Sequence, residues 1–203
     1  MGMKLMIYDR TCTRTGAMPV GLTHAWASGA RAYGALGNLD AWTGVADWDE
    51  ALAWLGRSPG PIDEIQFWGH GNWGLARIDH HPLDVSALRP GHASHAALEG
   101  VRERMSPQAL WWFRTCDTLG SARGHDFARR WTDFFERPVA GHTHIIGPWQ
   151  SGLHRLEPGQ RPHWDAAEGL ERGTPERPER SMWSGPGRPH TIHCLQSQVP
   201  AGW

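Results

Sequence analysis

Two apolar stretches of the chain each end in a residue that can carry chemistry. Residues 61–71 have the sequence PIDEIQFWGHG, and residues 109–116 have the sequence ALWWFRTC. Runs of this kind are typical of strands that are buried on both faces of a sheet. Function collects at the carboxyl ends of the strands in an open parallel sheet, where His70 and Cys116 both stand. The pattern predicts that these two side chains are neighbours at one edge of a sheet.

The flanking sequence alternates between strand and helix patterns. It predicts strands at residues 4–8, 62–68, 109–115 and 139–147, with a short return strand at 74–79. It predicts helices at residues 22–36, 48–55, 94–105 and 127–135, the second of them capped by Asp47 with Glu50 three residues later. This order favours an α/β fold with a mainly parallel sheet and helices on both faces.

Length and composition favour one domain. The chain has 203 residues, and its Pro- and Gly-rich part is confined to the end. We therefore predict a domain over residues 1–156 and an irregular segment, residues 157–203, that packs on it. Twenty basic and 21 acidic residues give a formal charge of -1, which argues against nucleic acid or an acidic membrane as a partner.

The cysteine pattern bears on the compartment. Cys12, Cys116 and Cys194 form an odd set without a CxxC pair, as expected for a reducing environment. The first residues, MGMKLMIYDR, show no signal-peptide core, and no stretch has the ~20 apolar residues of a membrane span. We expect a cytoplasmic protein.

A cysteine and a histidine at adjacent strand ends have a clear chemical use. The thiolate is the nucleophilic form of cysteine, and an imidazole nearby can accept its proton. The glycines beside His70 let the backbone turn sharply, so that the amides of Gly71 and Cys116 can face a developing oxyanion. No GxSxG, P-loop or dinucleotide motif is present, which argues against serine hydrolases and nucleotide enzymes.

The segments DEIQFWGHGNWG and TCDTLGSARGHDFARRW resemble the caspase-like cysteine peptidases, and more narrowly their bacterial caspase-like relatives of unknown function. The separation of 46 positions from His70 to Cys116 is close to the spacing in caspases, and the resemblance extends over residues 41–147. It implies a caspase-like three-layer sandwich that hydrolyses peptide bonds, with Cys116 as nucleophile, His70 as base and Gly71 as oxyanion donor. The FRT before Cys116 differs from the QA of caspases.

Substrate preference stays open at this stage. Arg10 at the same rim would favour an acidic side chain, whereas Asp117 would favour a basic one. Trp73 and Trp149, in loops next to strand ends, could stack on a bound peptide. His142 and His144 follow the next strand, so they could line the wall beside Cys116.

Two alternatives accompany the peptidase reading. In one, the same fold binds a protein partner through the cleft and performs no chemistry. In the other, His142 and His144 hold a catalytic metal, because an HxH pair on a strand puts both imidazoles on one face. No third ligand is close in sequence. We therefore expect neither a metal nor another cofactor, and a peptide or protein as substrate.

Overall fold

A computed structural model describes residues 2–14, 20–200 and 202–203. Its helices are α1 (Leu22–Ala35), α2 (Trp48–Gly56), α3 (His95–Arg104) and α4 (Ser121–Phe135), with a 3₁₀ turn at Val85–Leu88. Its strands are β1 (Met3–Asp9), β2 (Ala41–Val45), β3 (Ile62–Trp68), β4 (His70–Asn72), β5 (Leu75–Ile78), β6 (His81–Asp84), β7 (Met105–Arg114), β8 (Val139–His142), β9 (Trp149–Gln150), β10 (Leu153–Leu156), β11 (Leu170–Gly173), β12 (Pro178–Ser181) and β13 (Ile192–His193). No helix in the described ranges is long and apolar enough to cross a membrane.

The main sheet has six strands in the order β10-β8-β7-β3-β1-β2. Every neighbouring pair is parallel except β10 with β8, which is antiparallel. The expected α/β class with a mostly parallel sheet is therefore confirmed. Strands β3 and β7 are direct neighbours, with Trp68 opposite Arg114 at their carboxyl ends. The topology thus brings the residues after Trp68 and after Arg114 to the same edge of the sheet.

Alternating side chains of the strands supply apolar cores on the two faces of this sheet, as the pleat requires. On β1, Leu5 and Ile7 join the core formed with α2, α3 and α4. Met6, between them, packs instead against residues of α1. On β7, Trp111 and Phe113 join the first core, and Leu110 and Trp112 lie in a third cluster with β10 and the end of the chain.

Asp47 caps α2 as the sequence predicts, whereas Glu50 bonds the amide one residue before the cap and not that of the cap residue itself. The Asp47 side chain accepts a hydrogen bond from the Glu50 amide at 2.8 Å. Glu50 in turn accepts from the Ala46 amide at 2.9 Å. Two backbone donors at the start of the helix are thereby satisfied.

Several strands were not predicted. β2 and β10, at the two edges of the main sheet, are short and carry partly polar sequences, AWTGV and LHRL, so their periodicity is weak. The predicted return strand is β5, and it lies between β4 and β6 in a small antiparallel sheet. This small sheet follows β3 directly and therefore positions His70.

The segment over residues 157–203 packs on the rest of the domain. It contains β11 paired with β12, and β13 paired with β9. Trp164 is 6% exposed, belongs to the main core, and donates its indole N–H to the Leu119 carbonyl at 3.1 Å. Ile192 is buried beside β10. This segment therefore contributes to the core, although its sequence shows no apolar period.

Candidate active site

Cys116 lies in a tight turn between β7 and α4. Asp117 and Ser121 both adopt the left-handed region, with φ of 38° and 66°. Hydrogen bonds within the turn join the Gly120 amide to the Asp117 carbonyl at 3.0 Å and the hydroxyls of Thr115 and Thr118 at 2.6 Å. The half-buried Cys116 is therefore presented by a closed turn rather than by a loose loop.

The strand that begins with His70 packs directly on this turn. A Cβ atom added at Gly71 would lie 2.6 Å from the Cys116 carbonyl oxygen, so only glycine fits there without displacement. The Gly74 amide donates to the Thr118 carbonyl at 2.9 Å, and the Thr118 hydroxyl donates to the Leu75 carbonyl at 3.1 Å. These contacts join β4 and β5 to the Cys116 turn.

His70 and Cys116 line one pocket with a volume of about 370 Å³. This is at the small end of the range for ligand pockets, roughly 300–1,000 Å³. Most of its wall is apolar, and the larger apolar side chains are Leu22, Trp26, Trp68, Ile146, Pro148 and Leu195. Cys194, which like Cys116 is not in a disulfide, contributes to the same wall. The structure thus places an imidazole and a thiol on the surface of one mainly apolar cavity.

A wider and more open depression of about 520 Å³ lies beside α4. It is lined by His125, Asp126, Arg129, Arg161 and Pro162 and includes neither His70 nor Cys116. We regard the smaller cavity as the site because it contains a nucleophile and a base and is better enclosed.

The surroundings of Cys116 favour the neutral thiol. Burial raises the pKa of Cys116 to about 11, and the negative charge of Asp117 adds to this effect. A backbone hydrogen bond from Ile146 opposes it only in part. At neutral pH the group is therefore a thiol, and attack on a substrate requires that its proton be removed during the reaction.

The surroundings of His70 favour the neutral imidazole. Burial lowers the pKa of His70, and the positive charge of Arg77 lowers it further, whereas Asp9 acts in the opposite direction. The ring meets Trp26 edge to face, with the centroids 5.4 Å apart. At neutral pH His70 is a proton acceptor.

Asp9 is a site residue that the sequence analysis missed. It is fully buried at the end of β1, the strand next to β3, and its negative charge partly opposes the lowering of the His70 pKa by burial. Its Oδ1 accepts from the amide of Thr11 at 2.7 Å and from the hydroxyl at 2.6 Å. Its Oδ2 accepts from the Asp79 amide at 3.2 Å. In the sequence, the position of Asp9 directly after the apolar run KLMIY could have identified it as a candidate.

Arg114 is a second residue that the sequence analysis did not single out. It is 2% exposed, lines the pocket, and lies over the rings of Trp68 at 4.6 Å and Trp112 at 4.4 Å. Its guanidinium donates to Gln150, to the Tyr33 hydroxyl, and to the carbonyls of Cys194 and Gln196. Burial lowers the pKa of Arg114, which the nearby Tyr33 partly offsets. In the sequence, an arginine inside the otherwise apolar run ALWWFRTC could have identified it as a candidate.

The two charged residues proposed to select substrate have other partners. Arg10 is exposed and pairs with Glu50 at 2.7 Å, while also donating to the Gly44 carbonyl. The Asp117 carboxylate accepts a hydrogen bond from the Ser181 hydroxyl on β12. Burial raises the pKa of Asp117 to about 6. Neither residue lines the pocket of His70 and Cys116.

The two tryptophans proposed to stack on a peptide also lie elsewhere. Trp73 lines a separate depression of about 310 Å³ with residues of α4. Trp149 is 41% exposed and meets His193 edge to face, with the centroids 5.4 Å apart. Pro148 and Gln150, its neighbours, line the pocket.

His142 and His144 bond to the Cys116 turn through their backbone carbonyls. The His144 carbonyl accepts from the Asp117 amide, and the His142 carbonyl accepts from the Leu119 amide, both at 3.0 Å. Both imidazoles are buried. His142 Nδ1 donates to the Ser151 carbonyl at 3.2 Å, and burial lowers the pKa of His142 to about 3.

A metal site does not emerge from these histidines. Among residues 2–14, 20–200 and 202–203, no three His, Cys, Asp or Glu side chains are grouped so that they could hold a metal ion. His144 Nδ1 bonds the Thr143 hydroxyl at 2.9 Å, and that hydroxyl donates to Glu168.

Comparison of the chain with protein-family models, curated proteins and solved structures found no match. The geometry and chemistry of the pocket are therefore what indicates a function.

Proposed function

We propose that the protein is a caspase-like cysteine peptidase, in which Cys116 attacks a peptide carbonyl and His70 accepts and returns the proton. One observation carries the proposal: the two side chains line one cavity at the ends of adjacent parallel strands, and Gly71 packs against the Cys116 carbonyl. A nucleophile, a base and a glycine turn at the carboxyl edge of a sheet are the parts that acyl transfer requires.

The protonation states define how the proposed reaction begins. Cys116 starts as a thiol and His70 as a neutral imidazole, because burial raises the pKa of the first and lowers that of the second. His70 therefore takes the thiol proton while the sulfur forms a bond to the carbonyl carbon. It does not begin as an imidazolium in a resting ion pair.

The remaining steps return each group to its initial state. The carbon–nitrogen bond breaks, and His70 gives its proton to the departing amine. Water then attacks the thioester with His70 as base, releasing a carboxylic acid and restoring the Cys116 thiol. In this proposal the amides of Gly71 and Cys116 hold the oxyanion.

The proposal includes the finer fold assignment, a caspase-like three-layer sandwich. Support comes from α1 packing on one face of the sheet and α2, α3 and α4 on the other. The positions of His70 after β3 and Cys116 after β7, on adjacent central strands, agree with the arrangement that the resemblance implies.

One observation favours a second function, a protein-binding domain without catalysis. The environment raises the pKa of Cys116 instead of lowering it, which is the opposite of what a highly reactive cysteine requires. A binding domain of this kind would use the same apolar cavity.

The test is peptide cleavage followed by mass spectrometry. The purified chain is incubated with a proteome-derived peptide mixture, and cleavage products are compared among wild type, Cys116→Ala and His70→Ala. Cys12→Ala is the matched control, because Cys12 is also outside any disulfide but is not among the residues that line the pocket. The peptidase proposal expects products from wild type and Cys12→Ala only. Products that persist in Cys116→Ala, or none from wild type, would refute it.

A further inference from the structure

The pocket beside Cys116 has a composition that bears on what it binds. We propose that it takes a large apolar side chain of an extended peptide, such as phenylalanine or leucine, at the residue whose carbonyl faces Cys116. In this inference the role of Cys116 rests on the peptidase proposal. The affinity of the pocket for apolar side chains is independent of that proposal.

The shape and lining of the cavity support this choice. Its walls are formed by the rings of Trp26 and Trp68 and by the aliphatic side chains of Leu22, Ile146 and Leu195. Transfer of an apolar side chain from water into such surroundings is favourable by about 25 cal/mol per Å² buried. Leu22 and Leu195 are 42% and 55% exposed, so the apolar surface continues out to the rim.

A basic side chain would find no partner in this cavity. No aspartate or glutamate is among the described residues that line it. The Asp117 carboxylate, next to the nucleophile in sequence, is bonded to Ser181. An unpaired charge in an apolar cavity is strongly disfavoured.

An acidic side chain is the main competitor, because Arg114 lies in the wall. The guanidinium has five N–H groups, and the structure gives it five hydrogen bonds: two to Gln150, one to Tyr33, and one each to the carbonyls of Cys194 and Gln196. Stacking on Trp68 and Trp112 covers its faces. Arg114 would have to lose an internal bond in order to bind a carboxylate.

The first experiment measures covalent labelling of Cys116 by four acetyl-Ala-Ala-Xaa acyloxymethyl ketones, where Xaa is Phe, Leu, Asp or Arg. Labelling is quantified at Cys116 by peptide mapping, which separates it from Cys194 and Cys12. The inference expects at least tenfold faster labelling with Phe or Leu than with Asp or Arg. A preference for Asp would overturn the inference and indicate that Arg114 binds the carboxylate. A preference for Arg would also overturn it.

The second experiment separates the pocket from the chemistry. Binding of acetyl-Ala-Ala-Phe-amide and acetyl-Ala-Ala-Asp-amide to Cys116→Ala is measured by NMR titration of the tryptophan side chains. Selective binding of the Phe peptide, with no cleavage or labelling by wild type, would leave the pocket inference standing and the peptidase proposal refuted. Cleavage by wild type without a preference for the Phe peptide would refute the pocket inference and leave the peptidase proposal standing. Absence of both cleavage and selective binding would refute both proposals.

A pair of variants on α1 locates the site. Ala25 lines the pocket, whereas Ser28 is exposed on the same helix and does not. Ala25→Phe should reduce affinity for the Phe peptide at least fivefold, and Ser28→Phe should leave it unchanged. Equal affinity in both variants would overturn the assignment of this cavity.

Discussion

At the residue scale, Asp117 and Cys116 form a coupled pair of ionisable groups. Asp117 has a pKa of about 6, so at neutral pH its charge disfavours the adjacent thiolate. Ser181 can donate its hydrogen bond equally well to an asparagine in place of Asp117. The charge of Asp117 can therefore be removed with little change in the turn.

Asp117→Asn should lower the pKa of Cys116 and accelerate its alkylation by iodoacetamide at pH 8, about two- to tenfold for the loss of one adjacent charge. The difference from wild type should shrink below pH 6, where Asp117 is itself protonated. Asp133→Asn, an exposed change on α4, is the control. Identical pH profiles for Asp117→Asn and wild type would contradict this coupling.

A second residue-scale prediction concerns the charges around His70. Asp9 raises its pKa and Arg77 lowers it. In Asp9→Asn the pKa of His70 should therefore fall, and in Arg77→Gln it should rise. NMR titration of the imidazole protons measures both shifts. Shifts in the same direction for the two variants would show that the charges do not act on the ring as described.

At the element scale, the contact between β4 and the Cys116 turn is the feature that forms the site. Gly71→Ala places a methyl group against the Cys116 carbonyl, because the two backbones are too close for a Cβ. We expect a loss of about 1–3 kcal/mol of unfolding free energy from overpacking, together with a loss of Cys116 labelling. Denaturant titration measures the first and peptide mapping the second.

Gly100→Ala is the control for that change. Gly100 lies within α3, and nothing is within 4 Å of the added methyl group. Alanine there should stabilise the protein by about 0.5–1 kcal/mol through helix propensity. Two glycine substitutions with similar effects would argue against a specific contact at Gly71.

Sequence patterns predicted the central elements and missed the peripheral ones for a physical reason. β3, β7 and α4 carry long runs of apolar side chains, because both faces of the strands and one face of the helix are buried. β2 and β10 lie at the sheet edges and are only four or five residues long. The approach of His70 to Cys116 followed from strand order, whereas the environments of Asp9 and Arg114 depend on contacts between distant segments.

At the scale of the whole molecule, residues 157–203 stabilise the domain that holds the site. Trp164 is buried in the main core and bonded to Leu119, whereas Trp183, in the same segment, is 64% exposed. Trp164→Ala should cost about 3–5 kcal/mol of unfolding free energy, and Trp183→Ala no more than about 0.5 kcal/mol. Thermal or denaturant unfolding compares them. A loss for Trp164→Ala as small as that expected at an exposed position would contradict the place of Trp164 in the core.

The buried histidines should make the protein sensitive to acid. His142 has a pKa of about 3 when folded and an ordinary value near 6.5 when unfolded. Below pH 6.5 the unfolded chain therefore binds a proton that the folded chain does not, and stability falls as the pH falls.

Between pH 7 and pH 5, His142→Gln should lose about 2 kcal/mol less unfolding free energy than wild type loses. Denaturant titrations at both pH values measure the difference. Asp117 and Glu64 have raised pKa values, so they increase the stability of the folded protein as the pH falls. Both proteins contain them, and the difference between wild type and His142→Gln therefore reports on His142. Parallel losses in the two proteins would contradict a neutral, buried His142.

The role of His70 as the base for Cys116 is tested by the alkylation rate of Cys116 in wild type and in His70→Ala. Each rate is measured at pH 7.5 by mass spectrometry, with Cys12, which does not line the pocket, as the reference in the same digest. We expect at least a tenfold slower reaction at Cys116 in His70→Ala and an unchanged rate at Cys12. Equal rates at Cys116 in the two proteins would contradict it.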